Sequence, residues 1–430
     1  MIEKIKPSIL PGFMELLPEE QRIFNDIASK ISSVYEANGL APMDTPVIEK
    51  EEVLLAKSAG ETEKQMYSFT KGDRRLALRF DLTVPLARYV AQYFNDLNFP
   101  FKRYQIGKSY RGERNQKGRY REFYQCDADI IGNGKLDIKN DAFVISLASQ
   151  ALKSIGIENY KFQISNRKIL SGIFKELLLD NSVDIMRLID KYDKIDKADF
   201  SRELIELAGE EKADFISSVI AINEKGSAVI ARLQELNVSN SVFQEGIKEL
   251  ETVIKYLEIF GVDEREYVID FKIIRGLDYY TGTVFETILC GNESFGSICS
   301  GGRYDNLAQV YSDNVLPGVG MSIGLTRLFF VLQEIGFIKN YNSSEKLDYL
   351  IIPMGDTVEY CFKVGKILRD KGFKIDIYLE EEKLKKKLNY ANKLGVNNVI
   401  IIGEDEVSKN QVVIKDMSSG QQIIKSLQEI

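Results

Sequence analysis

Residues 267–286, YVIDFKIIRGLDYYTGTVFE, decide how the fold is read. YVIDFKII (267–274) has strand character. RGLDYYTG (275–282) is a glycine-punctuated turn, and TVFETILC (283–290) is the strand that follows it. SGGRYD (300–305) reads as a second glycine turn. PGVGMSIG (317–324) reads as a third, glycine-rich strand, and LTRLFFVLQEI (325–335) as a helix. Adjacent strands with glycines at their ends imply an antiparallel sheet that supports a ligand close to its backbone.

Outward toward the N-terminus, residues 102–111 and 121–131 both have strand character and are joined by the polar stretch GERNQKGRY. RLALRF (75–80) alternates as a strand. DLTVPLARYVAQYF then takes a helical period, with Asp81 or Thr83 able to cap its start. LAPMDTPVIE is extended but carries Pro42 and Pro46, which predicts an edge or bulged strand. Residues 19–38 predict an amphipathic helix. Ile23, Phe24, Ile27, Ile31, Val34 and Tyr35 form its apolar face, and Gly39 stops it.

No proline occurs between Pro100 and Pro317. Within that gap, residues 172–262 have helical spacing and hold 18 acidic and 11 basic residues, a balance of −7, so they read as a helical insertion. KNYNSSEK (339–346) is a polar linker. Beyond it the order is strand, helix, strand, helix, strand, loop, strand (QVVIKDM) and helix, a small α/β domain. The expected organisation is α+β. A first part of the main domain spans 1–171, the insertion 172–262, the second part 263–338, the linker 339–346, and the C-terminal α/β domain 347–430.

Composition sharpens what such a chain can do. It has 430 residues, 44% hydrophobic and 28% charged, which is ordinary for a globular protein of two or three domains. Lys and Arg number 57 against 64 Asp and Glu, so any nucleic-acid site must be a local patch and not a consequence of overall charge. No apolar run approaches the ~18 residues of a membrane span. Cys126, Cys290, Cys299 and Cys361 form no CxxC pair, which fits a reducing cytoplasm. There is no histidine at all. Ser-His-Asp and Cys-His catalytic units are excluded, and so is any metal site that needs His ligands. Chemistry must run on Asp, Glu, Arg, Lys, Tyr and the backbone.

Four stretches can carry such chemistry. Lys102–Arg121 holds eight basic residues and one acidic, with three tyrosines interleaved, a composition suited to phosphates. A solvated basic hairpin accounts for the same charges. RGLDYYTGTVFE places an arginine and two tyrosines at a turn, and hairpin packing is its plain alternative. SGGRYD and PGVGMSIGLTRL set glycine-rich backbone beside Arg303 and Arg327, without P-loop spacing. In LRFDLT (78–83), Asp81 and Thr83 lie at a strand-to-helix junction, where a simple helix cap is the default. Without a family comparison these stretches define a nucleotide-binding α+β protein with a basic loop and a small α/β appendage.

Taken in order, the segments resemble the histidyl-tRNA synthetase family of the class II aminoacyl-tRNA synthetases. The proline-broken strand ending in TPVIE resembles motif 1, the dimer motif. YRGERNQKGRYREFYQCDADIIG resembles motif 2, and GVGMSIGLTRL resembles motif 3. RGLDYYTGTVFE and SGGRYDNL resemble the two signatures of the histidine-specific family, and the likeness covers essentially the whole chain. It implies an antiparallel catalytic sheet flanked by helices, a helical insertion and a C-terminal α/β anticodon-binding domain. The implied activity is an ATP-dependent ligase that joins L-histidine to tRNA(His), working with Mg²⁺ as a cytoplasmic homodimer.

The resemblance also implies roles. Arg111 binds the ATP α-phosphate, and Glu113 helps hold the adenine. Arg119 and Arg327 contact the outer phosphates. Arg275 stands between the α-phosphate and the histidine carboxylate and, with Arg111, is the catalytic pair. Asp81, Thr83 and Gln125 hold the α-amino group. Asp129 and Tyr280 read the imidazole, with Tyr279 beside them in the histidine site. The resemblance implies aspartate or glutamate at the Asp81 and Asp129 positions, so the contacts of the shorter acid stay open. The rival from the same fold is a regulatory subunit of ATP phosphoribosyltransferase. That relative typically lacks the C-terminal domain and much of the RGLDYYTG-type signature.

Overall fold

In the computed structural model, residues 5–56, 61–114, 116–274, 279–341 and 347–430 are described. The chain divides into two compact units, one of residues 1–17 with 27–340 and one of residues 18–26 with 341–430.

The first helix, Pro18–Ala37, begins on a proline that needs no intrahelical N–H and carries Glu19 and Glu20 in its first turn. Ile23, Phe24, Ile27, Ile31 and Tyr35 are buried, and Gly39 takes a positive φ of 79° where the helix stops. The proline-broken segment after it divides between two sheets. Strand β1 (Ala41–Pro42) pairs in parallel at the edge of the large sheet, and β2 (Ile48–Lys50) joins β3 (Ser68–Lys71) and β4 (Arg74–Leu78) in a small antiparallel sheet of order β2-β4-β3. Two prolines each remove a ladder donor, so neither strand runs long.

The large sheet is completed by β5 (Phe101–Tyr110), β6 (Glu122–Ile131), β7 (Tyr160–Asn166), β8 (Tyr267–Ile269), β9 (Thr283–Leu289), β10 (Cys299–Tyr304) and β11 (Gly318–Ile323). Its order is β1-β5-β6-β11-β10-β9-β7-β8. The six central strands are antiparallel, and only the two outer pairs, β1 with β5 and β7 with β8, run parallel. SGGRYD, expected as a turn, lies mostly inside β10, because Gly301 and Gly302 pair on both sides with Phe285 and Val284 and with Met321 and Gly320. The strand expected over 267–274 is paired only as far as Ile269.

Six helices run between β7 and β8: Arg167–Glu176, Ser182–Ile189, Lys197–Ala208, Glu210–Ile220, Ala228–Gln234 and Ser241–Ile259. Asn166, Asp196 and Asn240 cap three of them through side-chain oxygens that accept from Lys168, Ala198 and Val242 N–H. The first and last helices cross closely, for a Cβ at Gly172 would stand 2.4 Å from the Phe243 nitrogen.

In the second unit, β12 (Tyr349–Pro353), β13 (Ile375–Ile377), β14 (Asn398–Ile402), β15 (Gln411–Asp416) and β16 (Gln422–Ser426) form a sheet of order β13-β12-β14-β15-β16. Leu350 and Ile352 pack on one face with Ala391, while Ile351 packs on the other with Cys361 and Val364. This is the period-2 alternation of a sheet covered on both sides. The helix expected after QVVIKDM is instead the strand β16. Asp416 Oδ1 accepts from the N–H groups of Ser418 and Ser419, and Gly420 has φ of 73°, so DMSSGQ closes a hairpin. The loop expected before β15 contains a short helix, Glu404–Ser408. Among the described residues no helix is long and apolar enough to cross a membrane.

Candidate active site

Side chains on a strand alternate between faces. Along β6 the buried Cys126, Ala128 and Ile130 face one way, and Gln125, Asp127 and Asp129 face a cavity of about 290 Å³. Asp81, Thr83, Arg111, Tyr279 and Tyr280 line the same cavity, with Phe285, Glu286, Ser300, Tyr304 and Ser322. A second hollow of about 360 Å³ contains Glu113, Arg119, Tyr120, Phe123 and Arg327. Arg111, Gln125, Glu286, Ser300 and Ser322 line both, so the two form one cleft with an inner and an outer lobe.

The inner lobe is acidic. Tyr304 Oη donates to Asp129 Oδ1 at 2.6 Å, and Arg103 Nη2 lies 2.7 Å from Asp129 Oδ2. Arg103 is fully buried and also donates to the Leu82 carbonyl at 3.3 Å. Burial pushes the Asp129 carboxyl up, against the pull of Arg103, and pushes Asp127 up to about 7. Asp81 is raised by burial too, even though its Oδ1 accepts from Thr83 N–H at 3.1 Å and Val84 N–H at 2.9 Å. Asp81 therefore does cap the helix Thr83–Gln92, as the plain reading expects, and it lines the lobe as well. Burial raises both tyrosine hydroxyls, Tyr279 beside Tyr280 and Tyr280 beside Asp129. Their rings sit 5.0 Å apart, and a hydrogen bond joins Tyr279 to Thr83.

Glycine makes this arrangement possible. A Cβ at Gly320 would fall 1.9 Å from Asp129 Oδ1, and one at Gly302 would fall 2.9 Å from the Tyr280 ring. The glycines of β10 and β11 thus admit protein side chains where the sequence suggested direct approach of a ligand. Arg303 has a different role from the glycines around it. It is buried, donates to both carboxylate oxygens of Asp141 and to the Leu136 carbonyl, and lines neither lobe.

Arg111 stands where the lobes meet. Its Nε donates to the Phe80 carbonyl at 3.2 Å, and its guanidinium lies 4.5 Å from the Phe80 ring centre and 5.1 Å from that of Phe123. Contact with the two rings and the Phe80 carbonyl restrains the guanidinium while leaving its other donors for a ligand. In the outer lobe Arg119 lies 3.4 Å from Glu113, and Arg327 contacts the Phe295 carbonyl. Burial and then the nearby Arg119 lower the pKa of Arg327, which marks a partly desolvated cationic wall. The loop that bears Arg119 is held by Lys117 on Glu334 and by Tyr120 against the Phe330 ring, 6.4 Å between centres.

Of the residues expected at the site, Asp81, Thr83, Gln125, Asp129, Tyr279 and Tyr280 line the inner lobe, Glu113, Arg119 and Arg327 the outer, and Arg111 both. Arg275 lies outside the described residues, as does most of the 339–346 linker. Asp127, Arg103, Glu286 and Tyr304 belong to the cleft or its support and were not singled out. For Asp127 the available signal was its position two residues from both Gln125 and Asp129 on one strand.

The family described as "Histidyl-tRNA synthetase" matches residues 12–328, and the "Anticodon binding domain" matches residues 348–430. A histidine--tRNA ligase from Clostridium acetobutylicum is 65% identical over the full length of both chains. One from Clostridium tetani is 53% identical over 99% of this chain and 97% of its own. The crystal structure of a histidyl-tRNA synthetase from Nostoc sp. PCC 7120 superposes with a TM-score of 0.91 at 36% identity, covering 98% of this chain and 97% of that one. An acidic aromatic lobe joined through an arginine to a cationic lobe is thus carried by a chain that belongs to the histidyl-tRNA synthetase family.

Proposed function

We propose that the chain activates L-histidine with ATP, releasing pyrophosphate, and then transfers histidine from the adenylate to the 3′ end of tRNA(His). The observation that carries this reading is the two-lobed cleft. One lobe presents buried acids and tyrosines to an amino acid, the other presents arginines to a polyphosphate, and Arg111 is common to both.

In the first step the histidine carboxylate attacks the ATP α-phosphorus, a Pα–O bond forms, and the bond to the β-phosphate oxygen breaks. The attacking carboxylate is already ionised at neutral pH, so no general base is required and the absence of histidine side chains is no obstacle. What the transition state needs is positive charge at the α-phosphate. Arg111 supplies it from a guanidinium already oriented by Phe80 and Phe123, with Arg275 in the same role. Arg119 and Arg327 hold the outer phosphates and Glu113 the adenine. Asp81, Thr83 and Gln125 hold the α-ammonium. Asp129 and Tyr280, with Tyr279 packed beside them, meet the imidazole nitrogens. A ring without those nitrogens leaves buried polar groups unpaired, which permits rejection by roughly 10⁴–10⁵-fold.

Mg²⁺ fits this cleft as a companion of ATP. Among the described residues no three carboxylate or cysteine side chains cluster to form a cage, so the ion would take its ligands chiefly from phosphate oxygens and water, with Glu286 a carboxylate that lines the same lobe. When bound it adds charge neutralisation at the phosphates. The C-terminal domain, 347–430, would read the anticodon. The chain would act as a cytoplasmic homodimer through the TPVIE segment.

The test is ATP–pyrophosphate exchange by the purified protein without tRNA, against each of the twenty amino acids. Exchange with histidine alone is expected. Arg111→Ala should lower the exchange kcat by about 10²–10³-fold, the usual loss when one such donor is removed. No exchange from folded wild-type protein with Mg²⁺ present would overturn the proposal.

A further inference from the structure

We infer that Asp127 is a further substrate-contacting residue of the inner lobe, accepting a hydrogen bond from the bound amino acid through Oδ1. The inference rests on reading this lobe as the histidine site.

Asp127 is 2% exposed and lines the inner lobe. Its Oδ1 has no hydrogen-bond partner, although the Ser322 side chain bonds to the carboxylate. A buried carboxylate oxygen without a donor costs free energy, and an apolar residue at this position would avoid the cost. The local charges do not remove it. Asp81, Asp127 and Asp129 bring three carboxylates to the lobe, against two guanidiniums: the buried Arg103, which makes its close ion pair with Asp129, and Arg111, which acts on Asp81. A ligand that carries N–H donors and positive charge relieves both the missing bond and the imbalance.

A second orphan acceptor lies alongside. Gln125 donates through Nε2 to Ser322 Oγ at 2.7 Å, while its Oε1 is buried and unpartnered. Residues 125 and 127 share one face of β6, about 6.6 Å apart along the strand. The α-ammonium of an amino acid has three donors and a full charge, which is what two neighbouring orphan acceptors on one strand face lack. Asp127 thereby becomes part of what makes the lobe select a free amino acid.

Asp127→Asn in the full-length protein tests this. In pyrophosphate exchange its KM for histidine should rise roughly 10- to 100-fold, the ordinary loss for a charged hydrogen bond. KM for ATP and kcat at saturating histidine should stay within about threefold. A merely structural role would move all three together or only the stability. Titration calorimetry with histidine alone, without ATP, should show the same loss of affinity. A histidine KM within twofold of wild type overturns the inference, even while wild-type exchange upholds the parent reading. Absence of wild-type exchange overturns both. Should Asp127→Asn fail to fold, the smaller and neutral Asp127→Ser carries the same expectations.

Discussion

At the scale of single residues, the missing histidine has a thermodynamic consequence. In most proteins histidines dominate titration between pH 5 and 8. Here that window is left to buried groups, of which Asp127, pushed up to about 7 by burial, is the clearest. An unfolded aspartate titrates near 3.9. Between those values the folded protein holds a proton that the unfolded chain has released. This contribution to stability is therefore complete below about pH 4 and is lost as pH rises through about 7. Asp129, Asp81 and Asp141 are raised by burial and act with the same sign. The melting temperature of ligand-free protein should fall between pH 5.5 and 8, and Asp127→Asn should flatten that slope. A slope unchanged in the variant, or a melting temperature that rises over the range, would sink the assignment.

At the scale of elements, the pair Arg303–Asp141 joins β10 to the helix Lys139–Ser154. Arg303 Nη2 lies 2.7 Å from Asp141 Oδ1, and both side chains are buried. Burial drives the Asp141 carboxyl up, whereas Asp141 raises the Arg303 guanidinium; the general offset of attraction by desolvation makes such a pair worth little net energy while intact. Removing one member is another matter, because the buried guanidinium then keeps only the Asp305 carboxylate, 3.6 Å away, and the Leu136 and Asp137 carbonyls. Asp141→Ala should cost about 3–5 kcal/mol in stability, read from the urea midpoint with the m-value unchanged. A loss below about 1 kcal/mol would show that water or neighbouring carbonyls solvate the guanidinium instead. In the signature SGGRYD the glycines serve close packing and the arginine serves this joint, which is why a turn was the wrong expectation for it.

At the scale of the whole molecule, the small sheet β2-β4-β3 leaves apolar side chains in water. Ile48 is 48% exposed and Phe69 41%, and Val47 beside them is 37% exposed. Apolar groups gathered on one surface favour association. They lie on or beside TPVIE, the segment that resembles the dimer motif. Sedimentation at micromolar protein should give about twice the 48.9 kDa chain mass. Ile48→Glu should shift the equilibrium to monomer and lower exchange activity. A wild-type monomer at that concentration would refute the dimer.

Local sequence determined the elements whose signals are local. The helix Pro18–Ala37 follows from its apolar stripe, and β5, β6, β9 and β11 follow from short apolar runs bounded by glycine, proline or polar turns. β16 escaped because DMSSGQ acts through side-chain caps on a turn, and period alone does not reveal them. Family motifs pointed to Arg111, Asp81, Asp129 and Tyr280 without saying how each is held. Only the tertiary structure decided that Asp127 and Glu286 face the cleft, that Arg303 turns away from it, and that Gly320 makes room for Asp129. Those outcomes depend on which face of a strand meets a cavity and on what crosses from the next strand. The physical reason is that register couples residues nearly 200 positions apart, such as Asp129 and Gly320, and no local pattern of charge or hydropathy encodes that pairing.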